Sequence, residues 1–198
     1  MVAKRSLLFI ILQLSFGAII IFSFSLTSAD IPTLLISLSF YLFIFIIPIF
    51  FFIRFCLNQK PLIYLKLSTD IKKGLIYGIG ISLILITAFL LKNLNQPVKN
   101  INIYFLIGRF LAGPLEETIF RGFYLNTFSK SLKFSHANII TSAIFALLHF
   151  NQLSQQGLII LLFMFIFSLW LGYFYRQSNS LIAPILIHST YNIMTVLF

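Results

Sequence analysis

Acidic side chains are almost missing from this sequence: its 198 residues hold 4 Asp and Glu against 14 Lys and Arg, a formal net charge of +10. Charge of either sign is scarce, at 9% of residues, whereas hydrophobic residues make up 60%. A mean hydropathy of +1.02 lies far outside the soluble range. The 25 Phe and the long Leu/Ile runs exceed what one globular core could cover, so a soluble fold is excluded and the surplus needs lipid around it. The lone Cys56 excludes an internal disulfide, and its place close to Arg54 at the end of an apolar run reads as ordinary packing. No H-E-x-x-H motif, internal repeat, low-complexity linker or second hydrophilic domain is present, so residues 1–198 read as one transmembrane domain.

What the chain does contain is a succession of apolar runs. Bounded by charge, Pro, Asn or Gly, they predict an all-α, polytopic transmembrane helical bundle of about seven spans, at 7–27, 32–53, 74–91, 103–128, 137–150, 157–175 and 180–198. The basic start and the small residues from Thr27 to Ala29 resemble a signal peptide. The apolar stretch between them, about 20 residues against the roughly 7–15 of a signal's apolar region, predicts an uncleaved first span instead.

Ten cations fall on one side of this bundle: Lys4, Arg5, Arg54, Lys60, Lys66, Lys72, Lys73, Lys130, Lys133 and Arg176. The other side receives Lys92 and Lys99, which predicts a cytoplasmic amino terminus. Topology thus accounts for the basic balance, with membrane lipids as surroundings and no nucleic-acid partner. The small single-domain chain fits a bacterial plasma membrane protein. The 54–73 loop reads as an interfacial piece whose lysines snorkel to the headgroups, and His136 as a solvated loop residue. Gly74, Gly78 and Gly80, with Ser82, form a face that lets a neighbouring helix approach closely.

Two of the four acidic residues sit side by side in an apolar setting, in G-P-L-E-E-T-I-F-R-G-F from Gly113 to Phe123. An ionisable group near the centre of a span costs roughly 2.5 kcal/mol or more, so each demands a reason. They cluster: Arg109, Glu116, Glu117 and Arg121 in the fourth span, His149 at the end of the fifth, and His188 in the seventh, joined by Asn192. At a helical rise of about 1.5 Å per residue, Glu116, His149, His188 and Asn192 all lie roughly 15–21 Å from the cytoplasmic ends of their helices. Residues four apart share a face, so Glu117 pairs with Arg121, Phe145 lies near His149, and His188 and Asn192 point the same way. Glu116, about 100° round from Glu117, is left to face a cavity. Singly, such residues are usually helix–helix glue. Gathered at one depth on three helices, they point to a functional site. Pro114 and Pro184, shortly before the Glu pair and His188, each predict either a packing kink or a bend that shapes this site.

The motifs E-E-x-x-x-R at 116–121, F-x-x-x-H at 145–149 and H-x-x-x-N at 188–192 resemble those of the CPBP family of intramembrane glutamic proteases, which includes the CAAX prenyl endopeptidases and the Abi proteins linked to bacteriocin self-immunity. The resemblance covers about the last 100 residues, leaving 1–100 as amino-terminal helices without a recognised motif and 101–198 as the catalytic helices. It implies that Glu116 with His149 activates a water, that His188 and Asn192 stabilise the oxyanion, and that Glu117 and Arg121 support the site. The expected activity is that of an intramembrane, metal-independent glutamic endopeptidase acting on a membrane-associated or lipidated peptide. The chemistry is self-consistent: hydrolysis needs a base within reach of water and donors where charge develops, and no covalent intermediate is required. One Glu and two His could instead hold Zn²⁺, an alternative the resemblance disfavours. The competing function is non-catalytic, either a bacteriocin-immunity or partner-binding protein or a proton-coupled carrier, which would need titratable groups along a pathway instead of at one point.

Overall fold

The computed structural model describes residues 5–15, 31–149 and 158–198, and every regular element among them is helical. The first helix, α1, spans Arg5–Ser15. Helix α2 covers 31–56 and contains two widened π-helical stretches, Tyr41–Ile46 and Phe52–Cys56. Helix α3 is Ile71–Lys92. Helix α4 runs from Ile103 to Glu117 and continues through a π-helical Thr118–Leu125 into Asn126–Phe128. Helices α5, α6 and α7 are Phe134–Leu147, Leu158–Ser178 and Ile182–Leu197.

Among the described residues, three helices are long and apolar enough to cross a bilayer: Leu34–Cys56, Ile71–Lys92 and Leu158–Ser178. Helices α5 and α7, with 14 and 16 residues, are shorter. At about 1.5 Å per residue they fall below the roughly 30 Å of a hydrocarbon core. Helix α4 is long but interrupted by its four charged residues. Of the predicted first span at 7–27, only the part to Ser15 lies within the described residues; the rest, with Lys4 and Thr27 to Ala29, lies outside them.

Hydrogen bonds and ring contacts fix two ends of the bundle. At one end, the Tyr64 hydroxyl bonds Thr127 Oγ1 at 2.8 Å and Asn126 donates to Tyr64 O at 2.7 Å. There too Leu181 N reaches Lys66 O at 2.9 Å, and Arg176 stacks over Phe134 with its guanidinium carbon 4.6 Å from the ring centre. At the other end, Lys99 N donates to Leu197 O at 3.1 Å. Helix α1 runs against α2, Phe9 stacking on Phe52 while Gln13 donates to Ile44 O and Phe45 O in the first widened stretch, at 3.2 and 3.3 Å. Phe52, Phe123, Tyr124 and Phe145 form the core between these helices and α4.

Several sequence-based expectations change. The 54–73 segment does not simply lie at the interface: Tyr64 and Leu65 are buried, tied to the end of α4 and the α6–α7 turn. His136 lies on the exposed first turn of α5, because Lys133 in an extended conformation starts that helix earlier than predicted. Cys56 is exposed, on the outer side of α2, and is not packed. Helix α6 extends through Arg176 because that cation finds the Phe134 face.

The small-residue face of α3 does meet α7. A Cβ on Gly74 would lie 2.6 Å from Ser180 Oγ and one on Gly78 3.3 Å from the Ala183 Cα. Ser82 accepts from Thr190 at 3.0 Å. Gly80 plays no part, since a Cβ there meets nothing within 4 Å.

Candidate functional site

The local sequence of α4 explains how the site is assembled. Asn102 caps the helix, its side chain accepting from Tyr104 N at 2.9 Å. Pro114 has no N–H, so the carbonyl of Phe110 loses its donor one turn later. The Ser189 hydroxyl of α7 supplies that bond, donating to Phe110 O at 3.0 Å. Gly113 makes room for it: an added Cβ would stand 2.9 Å from Ser189 N and 3.1 Å from its Cα, both backbone atoms. Asn192 adds a second tie, its Nδ2 donating to Arg109 O at 3.2 Å. The Gly-Pro pair therefore holds α4 against the helix that carries His188. Pro184, by contrast, is the third residue of α7, where a missing N–H costs no helical bond, so it makes no kink in the site.

This linkage carries a prediction. Ser189→Ala should cost about 1 kcal/mol, the worth of one such bond. In a Pro114→Ala background the cost should shrink, because residue 114 can then donate to Phe110 O itself. Thermal unfolding of the four proteins in detergent closes the cycle; equal costs in both backgrounds would separate Ser189 from the proline.

Beyond the proline, residues 117–125 of α4 are all buried, and the charged pair there is enclosed by protein. Glu117 Oε1 accepts from Arg121 Nη1 at 2.9 Å and lies 2.7 Å from His188 Nδ1. Arg121 Nη2 donates to Ser168 O at 2.9 Å and Ser168 Oγ at 2.6 Å, and the guanidinium sits over Phe145, 5.0 Å from the ring centre. A carboxylate paired with arginine only accepts, so the His188 Nδ1 carries a proton and its Nε2 turns to Glu116, 3.9 Å from Oε2. His149 is fixed in the same manner: Nδ1 lies 2.8 Å from Phe145 O, a pure acceptor, which leaves Nε2 for the cavity. The ring of Phe145 packs against both imidazoles, at 4.6 Å for His149 and 5.9 Å for His188.

Glu116, His149, His188 and Asn192 line one cavity of about 280 Å³, together with Arg109 and Tyr191. The four residues singled out from the sequence thus come together in space, while Glu117 and Arg121 stand behind them. An apolar groove of about 570 Å³ between α3, α6 and α7 adjoins the cavity, with Phe167, Tyr191 and Thr195 lining both. Among the described residues, no three His, Cys, Asp or Glu side chains gather at metal-ligand spacing.

Sequence reasoning missed Tyr41, whose hydroxyl donates to Glu116 Oε1 at 3.3 Å, and it missed Ser168 and Ser189. Arg109 stood out as an intramembrane cation without an assigned role; it lines the cavity wall.

Apolar helices of spanning length and an interior polar cavity define an integral membrane protein. Residues 98–194 match the family described as type II CAAX prenyl endopeptidase Rce1-like. The carboxyl-terminal half of the chain thus carries a domain of this protease family. No curated protein and no solved structure matches it. This match favours hydrolysis over the proton-coupled carrier.

Proposed function

We propose that the chain is a metal-independent glutamic endopeptidase working inside the membrane on a membrane-associated or lipidated peptide, with seven spans and a cytoplasmic amino terminus. The observation that carries this reading is the convergence of Glu116, His149, His188 and Asn192 on one cavity. Glu116 and the free Nε2 of His149 take a proton from water as its oxygen attacks the scissile carbonyl. The developing oxyanion is met by Asn192 and by His188 Nε2, which donates only as an imidazolium. The carboxylates of Glu117 and Glu116 stand on either side of that ring, 2.7 Å from Nδ1 and 3.9 Å from Nε2. The proton held by Glu116 then passes to the leaving amide nitrogen. Tyr41, bonded to one Glu116 oxygen, leaves the other for water. The adjoining apolar groove supports a substrate with an apolar chain beside its peptide bond, as a prenyl group would provide.

Peptides recovered from membranes of cells carrying wild-type protein or the Glu116→Ala variant test the function. An uncleaved membrane peptide should accumulate only with the variant; identical peptide sets would remove the endopeptidase reading. Cleavage by purified protein in detergent should also persist in a strong chelator. Loss of activity restored by added zinc would replace the glutamate mechanism with a metal one.

A further inference from the structure

We infer that Arg109 binds a carboxylate of the substrate polypeptide within about four residues of the scissile bond, and so selects which peptides are held at Glu116. The inference rests on the proposed site and adds one element of substrate choice to it.

Arg109 stands in the cavity wall with Glu116, His149, His188 and Asn192, and among the described residues it is the only Lys or Arg there. Its side chain is exposed, and no described carboxylate pairs with it. Glu117 is taken by Arg121 and His188, while Glu116 accepts from Tyr41 and faces His188. Asp70 accepts from Asn179 at 2.5 Å at the other end of the bundle, and Asp30 lies outside the described residues. What the guanidinium does meet is the ring of Phe105, its carbon 5.6 Å from the centre. That contact consumes none of its N–H donors, which match a carboxylate through two parallel bonds. A cation in an apolar helix is costly enough to demand an anionic or polar partner, and one that lines a cavity can take it from the ligand.

Register favours a peptide group over a lipid headgroup. Arg109 and Glu116 are seven residues apart on α4, about 10 Å along the axis and about 20° apart around it, so both face the same cavity. An extended chain covers that distance in about three residues. A peptide with its carbonyl at Glu116 therefore reaches Arg109 with a carboxylate a few residues away, either its free carboxyl terminus or an Asp or Glu side chain. The two points are also tied together. Asn192, the proposed oxyanion donor, gives its Nδ2 hydrogen to Arg109 O at 3.2 Å, which fixes the arginine backbone against the reacting centre.

Binding to the Glu116→Gln protein tests this without any turnover. The probe is a fluorescent prenylated peptide in three forms: with a free carboxyl terminus, amidated, and amidated with an Asp beyond the scissile bond. Anisotropy in neutral detergent micelles gives the dissociation constant of each. At least one carboxylate form should bind about 10–100-fold more tightly than the plain amide, the worth of a charge-assisted pair. Which form does so tells a carboxyl terminus from an acidic side chain. Arg109→Met in the same background should bring all forms within about twofold of one another. Equal binding of the three forms, a preference that survives Arg109→Met, or no binding of any form overturns the inference. Equal binding that weakens for every form when phosphatidylglycerol is added would assign Arg109 to a lipid phosphate instead. Because the readout is binding, absence of peptidase activity in the wild-type protein would count against the proposed function and leave this result standing.

Discussion

Glu116→Gln is expected to lower peptide cleavage by about 10²–10⁴-fold, the span a positioned general base contributes, with the folded protein intact. The substitution keeps the volume of the side chain and an oxygen that can still accept from Tyr41, so the cavity wall is preserved. What is lost is the capacity to take a proton. The effect should fall on kcat more than on KM, since the carboxylate acts where charge develops and not on substrate binding alone. His149→Ala should give a loss of similar size. Joined to Glu116→Gln it should add little, because the two groups would serve one proton transfer. Turnover by Glu116→Gln at the wild-type rate, in protein with an unchanged unfolding midpoint, would remove Glu116 from the reaction.

Glu117→Ala should act differently, as a loss of stability of about 3–5 kcal/mol, the cost of stranding a buried partner charge. Arg121 and Glu117 are both 0% exposed, and no solvent can replace the missing carboxylate. His188 would lose its Nδ1 acceptor at the same time, so activity falls as well. Removing the cation in the same chain, as Glu117→Ala with Arg121→Met, should recover a substantial part of the stability and none of the activity. Unfolding in detergent, followed alongside cleavage, separates the two effects. A Glu117→Ala protein as stable as wild type would mean that the Arg121–Ser168 bonds alone hold the cation.

These two carboxylates illustrate what a sequence of this composition discloses. A charged side chain in an apolar helix is so costly that its presence is itself information, and Glu116, Glu117, Arg121, His149 and His188 were legible for that reason. Helical spacing then paired Glu117 with Arg121. Neutral hydroxyls carry no such signal. Ser189 and Ser168 could each have bonded a carbonyl of their own helix, as Thr118 does to Pro114 O at 2.7 Å, and nothing in their spacing says that they cross to a neighbour. Tyr41 was hidden for another reason: it opens a π-helical stretch of α2, where the regular 3.6-residue period from which faces are read no longer applies.

The contact between α3 and α7 bears on whether the motif-bearing half is a separable unit. Every recognised motif lies after residue 100, which invites cutting the chain there. Yet α7 carries His188 and Asn192 on a helix whose other side rests in the hollow left by Gly74 and Gly78 and is pinned by Ser82. A fragment beginning at residue 98 would leave that side to lipid, with no neighbour to fix the rotation of α7 about its axis, and therefore none to aim the imidazole. The half of the protein without a signature is in this sense the mount on which the signature is aligned.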